Sequence, residues 1–281
     1  MAVKLVTDST ADLPEALVRR YGLTVVPLHV HFGEEDYRDG VDIWASEFYY
    51  KLETSGVLPH TSQPSPGDFL QVYEPLTADG SEVVSIHLSR ALSGTCQSAE
   101  MAAEMLGRPA VTVVDSASAS LGVGLVVLEA ARRVEEGASR EQVAEAARRA
   151  SRRLVLFFVV DTLEYLQKNG RIGRATAFLG SLLNIKPLLT LEDGIVTPVE
   201  KARGKNKALS RIFDLLHERV GRKPARFAVV HADRPEEAIN LVERVKGEFA
   251  CLEPPLVGDI GPVIGSHVGP GTLGIVALPE E

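Results

Sequence analysis

The chain has 281 residues, of which 45% are hydrophobic and 24% charged, with a formal net charge of −8. That is ordinary globular composition at a length that favours two domains over one. Interleaved charges with no basic tract argue against nucleic acid as a partner, and no apolar run reaches the roughly 20 residues that a membrane helix needs.

Asp8 stands close to the start, with no cleavable signal pattern before it, and Cys96 and Cys251 show no metal-ligand spacing. The expectation is a soluble, cytoplasmic protein with reduced thiols and neither metal nor cofactor.

Residues 3–7 form an apolar run that suggests a buried first strand. Asp8, Ser9 and Asp12 are good caps, and Pro14 suits a first helical turn, so a strand–loop–helix unit opens the chain. Residues 24–32 alternate and are β-branched, which predicts one strand. Residues 41–53 predict a helix with Trp44, Phe48 and Leu52 on its buried face.

Thr61-Ser62-Gln63-Pro64-Ser65-Pro66-Gly67 comes next. Its prolines exclude a helix interior or central strand. The stretch reads either as a stiff hydroxyl-rich loop able to hold a carboxylate or as a rigid turn in which Ser65 caps a helix over 68–77.

Residues 82–88 predict a strand. Ser89-Arg90-Ala91-Leu92-Ser93-Gly94-Thr95 then leads into a helix near Cys96. Unpaired N–H groups and a partial positive charge at a helix start suit an anion, and Gly94 permits close approach of a ligand. Alternatively, Ser93 or Thr95 only caps that helix. A strand over 110–115 and helices over 121–136 and 139–150 complete a first half with a mostly parallel sheet.

Character changes near Arg152–Arg153, placing the domains at 1–152 and 153–281. A strand over 154–160, a short helix over 162–169 and a second helix from Arg171 to about Leu183 follow. Asp193-Gly194 between apolar runs signals a hairpin of 185–191 with 195–202. A helix over 206–220, a strand over 226–231, a helix over 235–246 and a strand over 274–278 make the second half α+β. Gly258 to Gly271 reads as a glycine-rich loop that lacks the dinucleotide fingerprint and carries His267, either near a ligand or as a structural hydrogen-bonder.

Taken together, Val6-Thr7-Asp8-Ser9-Thr10-Ala11-Asp12-Leu13, Thr61-Ser62-Gln63-Pro64-Ser65-Pro66, Leu92-Ser93-Gly94-Thr95, Asn169-Gly170-Arg171-Ile172 and Gly265-Ser266-His267-Val268-Gly269-Pro270-Gly271 resemble, in order, the motifs of the DegV family. The resemblance spans essentially the whole chain. It implies a two-domain α/β protein with a long-chain fatty acid such as palmitate held between the domains. It also implies a non-enzymatic carrier that presents the acyl carboxylate to a separate fatty acid kinase and passes acyl phosphate toward phospholipid synthesis. On matching positions, Thr61 and Ser93 would bind the carboxylate, Ser62 and Gly94 would add backbone N–H groups, Arg171 and His267 would lie near the head group, and Arg203 would face the kinase. Phe157, Phe158, Leu163, Phe178, Leu182 and Leu183 are candidates for the tail slot, or plain core.

A reading from another class is a serine hydrolase with Ser93 as nucleophile, His267 as base and Asp115 or Asp259 as orienter. Against it, Leu92-Ser93-Gly94-Thr95 is not the Gly-x-Ser-x-Gly elbow. A nucleotide-binding protein is a third reading, but the chain has no Walker lysine.

Overall fold

The computed structural model describes residues 2–180 and 185–281. In chain order come β1 (Val3–Asp8), a 3₁₀ turn (Ser9–Ala11), α1 (Glu15–Arg20), β2 (Thr24–Val26), β3 (His29–Phe32), β4 (Glu35–Arg38), α2 (Ala45–Thr54), β5 (His60–Ser62), α3 (Pro66–Thr77), β6 (Glu82–His87), α4 (Thr95–Met105), β7 (Val111–Asp115), α5 (Leu121–Glu135) and α6 (Arg140–Arg153). Then follow β8 (Val155–Val159), α7 (Glu164–Lys168), a 3₁₀ segment (Gly173–Phe178), β9 (Ile185–Glu192), β10 (Ile195–Arg203), α8 (Lys205–Val220), β11 (Ala225–His231), α9 (Pro235–Glu248), β12 (Leu256–Asp259), α10 (Pro262–Val268) and β13 (Leu273–Pro279).

The first sheet is parallel throughout, in the order β2-β1-β6-β7. The second has the order β10-β9-β8-β13-β11-β12 and is antiparallel except for the β11–β12 pair. Helix α5 packs on β1 and β6 of the first sheet and on β11 and β13 of the second. Every residue from Leu121 to Ala131 is buried for that reason, since a helix flanked by sheets on both sides has no face left for water. The largest buried cluster accordingly joins Leu5, Val84 and Ile86 to Phe158, Val230 and Val276.

Five local expectations need correction. The strand expected over 24–32 is two strands. Pro27 has no N–H and cannot continue the ladder, so 24–26 stay in the parallel sheet. Residues 29–32 instead join a small antiparallel sheet of order β4-β3-β5. The proline-rich stretch is not loop from its start, because Thr61 and Ser62 belong to the edge strand β5. Trp44 is not on the buried stripe of α2: it precedes the helix in extended conformation and is 57% exposed, leaving Phe48, Tyr49 and Leu52 inside. The helix expected from Arg171 is a 3₁₀ segment over Gly173–Phe178, and Leu182 and Leu183 lie outside the described residues. Finally, the glycine-rich loop is the end of β12 followed by helix α10.

Other local signals hold. Ser65 caps α3 in a reciprocal box with Asp68, with Pro66 in the first turn. Asp193 and Gly194 both have positive φ (52° and 74°), as the tight hairpin between β9 and β10 requires. The Gly194 carbonyl accepts a hydrogen bond from Ser89 Oγ at 2.9 Å, which ties this hairpin to the loop after β6.

Candidate functional site

The loops leaving the carboxyl ends of β6 and β7 face the inner side of the second sheet, and a cavity lies between them. Leu88, Leu92 and Ser93 line it from the first loop and Ala119 and Ser120 from the second. Leu156 and Phe158 of β8, with Leu191, Val196, Val230 and Val276, line it from the second sheet, while Val263, Ile264, His267 and Val268 of α10 close one side. The volume is about 130 Å³, counted as the space that the centre of a water-sized sphere can occupy. One water needs roughly 10–15 Å³ on that measure. A largely apolar wall of this kind suits an apolar ligand, and ligand sites in open α/β sheets fall at such strand ends.

Part of the wall is polar. Thr61 Oγ1 lies 2.9 Å from His267 Nε2. Burial, helped by the Arg171 guanidinium, pushes the His267 imidazole down to about 4, so the ring is neutral at pH 7. Its Nδ1 is buried with no hydrogen-bond partner among the described residues. An orphaned N–H is costlier to bury than an orphaned lone pair, which assigns the proton to Nε2. His267 then donates to Thr61, and the Thr61 hydroxyl hydrogen is free to turn toward a carboxylate.

Ser93 Oγ pairs with Thr95 Oγ1 at 2.9 Å, and Ser93 N–H donates to the Ser89 carbonyl. Arg171 donates to the Leu92 carbonyl (3.2 Å) and the Asn169 carbonyl (2.9 Å), and Asn169 in turn donates to the Ser266 carbonyl of α10. Among the described residues no carboxylate pairs with Arg171, so its charge is available at the cavity mouth.

The structure brings Thr61, Ser93, Arg171 and His267 together. It separates others. Ser62 borders the cavity, but its hydroxyl bonds His31 Nε2 at 2.9 Å on the exposed side. Gly94 does not line the cavity: its N–H donates to Gln63 Oε1 at 3.0 Å, and a methyl there would sit 2.5 Å from the Gln63 amide. The glycine makes room for a side chain rather than a ligand. Gln63, which also donates to Ser98 Oγ (3.2 Å), is the wall residue that pattern reading missed. Arg203, last residue of edge strand β10, is exposed and away from the cavity.

Of the proposed tail residues among those described, only Phe158 reaches the wall. Phe157, pointing the other way on β8, packs with Ile212, Phe213 and Phe227, while Leu163 is core and the Phe178 ring lies beneath Lys201 Nζ.

The hydrolase constellation is not assembled. His267 meets Thr61 rather than Ser93, and its Nδ1 has no carboxylate to orient it. Asp115 accepts from the Arg90 and Ala117 N–H groups, and Asp259 lies near His231. A chain with triad distances does exist elsewhere, Ser85 Oγ to His87 Nε2 (2.7 Å) and His87 Nδ1 to Asp8 Oδ2 (2.9 Å). All three residues are fully buried, and Tyr73 OH donates to Ser85. No substrate can reach it, so it is a structural network that fixes the Asp8 turn against β6.

The DegV family model matches residues 2–280. Protein DegV of Bacillus subtilis is 38% identical over 277 residues, covering 98% of each chain. Among solved structures, a fatty-acid-binding DegV family protein of Thermus thermophilus is 44% identical, with a TM-score of 0.93 over the whole of both chains. The fatty acid binding protein DegV of Bacillus subtilis gives 36% and 0.91, again over both chains entire. Matched from end to end in sequence and in fold, this chain belongs to the DegV family.

Proposed function

We propose that the protein binds one long-chain fatty acid, tail in the apolar cavity and carboxylate at Thr61 and Ser93, beside Arg171 and His267. The observation that carries this reading is a largely apolar cavity at the strand ends with Thr61, Ser93, Arg171 and His267 on its wall. The likeness to solved fatty-acid-binding relatives supports it.

Energetics divide the labour. A sixteen-carbon acid carries about 14 methylenes at roughly 0.8 kcal/mol each, on the order of 11 kcal/mol gross. A hydrogen bond to a charged group adds only about 1.5–3 kcal/mol. The tail therefore supplies affinity, and the hydroxyls set direction and register. In this reading the protein is a non-catalytic cytoplasmic carrier of two domains, 1–152 and 153–281. It presents the carboxylate to a separate fatty acid kinase through a surface that includes Arg203, and the acyl phosphate then serves phospholipid synthesis.

Mass spectrometry of native against denatured protein tests the core of the proposal. A mass excess lost on denaturation, released as a C14–C18 fatty acid, is the expected result. No copurified lipid and no uptake of offered palmitate or oleate would overturn it.

A further inference from the structure

The small sheet β4-β3-β5 has two faces of different chemistry. Val30 and Phe32 of β3 are buried, and Thr61, opposite Val30 on β5, turns inward to His267. The outer face carries three histidines that lipid binding does not use. Strand alternation puts His29 and His31 on that one face, and the pairing register sets His60 of β5 directly opposite His31. On the other flank of β3, Asp36 of β4 also stands opposite His31.

The contacts follow from that grid. The His31 and His60 rings lie 4.6 Å apart at 19° to one another, and the His29 and His31 rings 6.2 Å apart at 14°. His29 Nδ1 is 2.9 Å from Asp36 Oδ1 and 3.0 Å from Oδ2. An ionised carboxylate only accepts, so Nδ1 carries the proton and a neutral His29 ring keeps its lone pair on Nε2. His31 Nε2 bonds Ser62 Oγ at 2.9 Å. The two cations beside the cluster are already paired: Arg38, opposite His29, with Asp42 and Lys51 with Glu35.

We propose that His29, His31 and His60 form a binding site for one divalent transition-metal ion, best matched by zinc, with Asp36 as the carboxylate that orients His29. Three imidazoles with a fourth position left to water are a known zinc donor set. Imidazole also selects such ions over magnesium and calcium, which take oxygen ligands. Two imidazoles on a tetrahedral ion, at a Zn–N distance of about 2 Å, have ring centres about 5 Å apart. The observed 4.6 and 6.2 Å lie on either side of that value. The rings are stacked rather than convergent, and among the described residues no three donors already surround one point. Binding therefore requires the rings to turn and His31 to exchange Ser62 for the ion. Asp36 behind His29 is the kind of outer partner that metal-ligating histidines use to fix tautomer and ring orientation. The expectation of no metal rested on cysteine spacing, whereas these histidines meet only through the pairing of β3 with β5. A bound ion ties β5, a three-residue strand, to β3 and so pins the strand that carries Thr61.

The test is a zinc titration of the full chain, free of any affinity tag, in competition with a chromophoric chelator at neutral pH. The wild type should take up one zinc per chain. Asp36→Asn should weaken binding about tenfold, an outer-partner cost, and His31→Gln and His60→Gln at least about 100-fold. His217→Gln, on α8, should bind as the wild type does. In ¹⁵N NMR of the wild type, zinc should move the ring signals of His29, His31 and His60 and leave that of His217 in place. A wild type that takes no zinc from the chelator, or His31→Gln and His60→Gln variants with wild-type affinity, would overturn the proposal. Should a variant fail to fold, the wild-type ring signals decide: three rings that stay constant as zinc is added mean that there is no site.

Discussion

Gly94→Ala separates two explanations of the same glycine. Its φ of −76° suits any residue, so the backbone gives no reason for glycine. The reason is space: an added methyl would lie 2.5 Å from both Nε2 and Oε1 of Gln63 and 2.8 Å from its amide carbon. The amide must swing away by about 1 Å to reach ordinary contact. That breaks its bonds to Gly94 N–H (3.0 Å) and Ser98 Oγ (3.2 Å). At about 1 kcal/mol each, the loss is about 2 kcal/mol. Alanine recovers roughly 0.4–1 kcal/mol by restricting the unfolded chain, so the net destabilisation is about 1–1.5 kcal/mol. The assay is urea unfolding of Gly94→Ala, Gln63→Ala and the double variant. The coupling energy should come to about 1–2 kcal/mol, because the methyl is harmless once Gln63 is gone. Palmitate affinity of the double variant should match that of Gln63→Ala. Zero coupling, or lipid binding lost in Gly94→Ala with or without Gln63, would refute this account and return Gly94 to the ligand.

The head-group hydroxyls come next. Thr61→Ala and Ser93→Ala should each weaken palmitate binding by about 1.5–3 kcal/mol, roughly tenfold or more, with unfolding midpoints near wild type; unchanged affinity and unchanged acyl phosphate formation would remove them from the site. For His267, a folded-state value of about 4 against an ordinary 6.5 means that the unfolded chain binds the proton more readily. Stability is then fully present above pH 6.5 and falls by about 3 kcal/mol as pH drops to 4, a decline that His267→Gln should abolish in acid unfolding curves. Arg203→Ala should leave copurified lipid intact and reduce phosphoryl transfer with a fatty acid kinase; altered lipid content would instead put Arg203 in the pocket.

What was legible in the sequence was whatever depends on neighbours along the chain. Hydroxyls and glycines at strand ends marked the Thr61 and Ser93 stretches, and the Ser65 cap and the Asp193-Gly194 turn are local chemistry. Trp44 failed because helical spacing does not say which turn is the first, and Trp44 stands one residue outside α2. Pro27 carried a usable signal, a missing donor in the middle of a would-be strand. The cavity wall was illegible for a different reason. Strand β8 is apolar on both faces, so nothing in Leu156-Phe157-Phe158-Val159 says that Phe158 faces a cavity while Phe157 faces α8.

On the proposed reading, the polar part of the cavity holds a carboxylate without disabling it. A bidentate arginine pair would bind both oxygens and draw down their charge. Arg171 has Nε committed to the Leu92 carbonyl and Nη1 to the Asn169 carbonyl, so its Nε–Nη2 edge is not open for such a pair. His267 is neutral and already donates to Thr61, which rules it out as a counter-ion. What remains for the ligand is a pair of hydroxyls and one unpaired positive charge at the mouth. Such donors fix the carboxylate's position while leaving lone pairs directed outward, and an acyl oxygen must keep a lone pair free if it is to attack phosphorus on another protein. On that reading, affinity resides in the wall between the sheets and reactivity at the mouth.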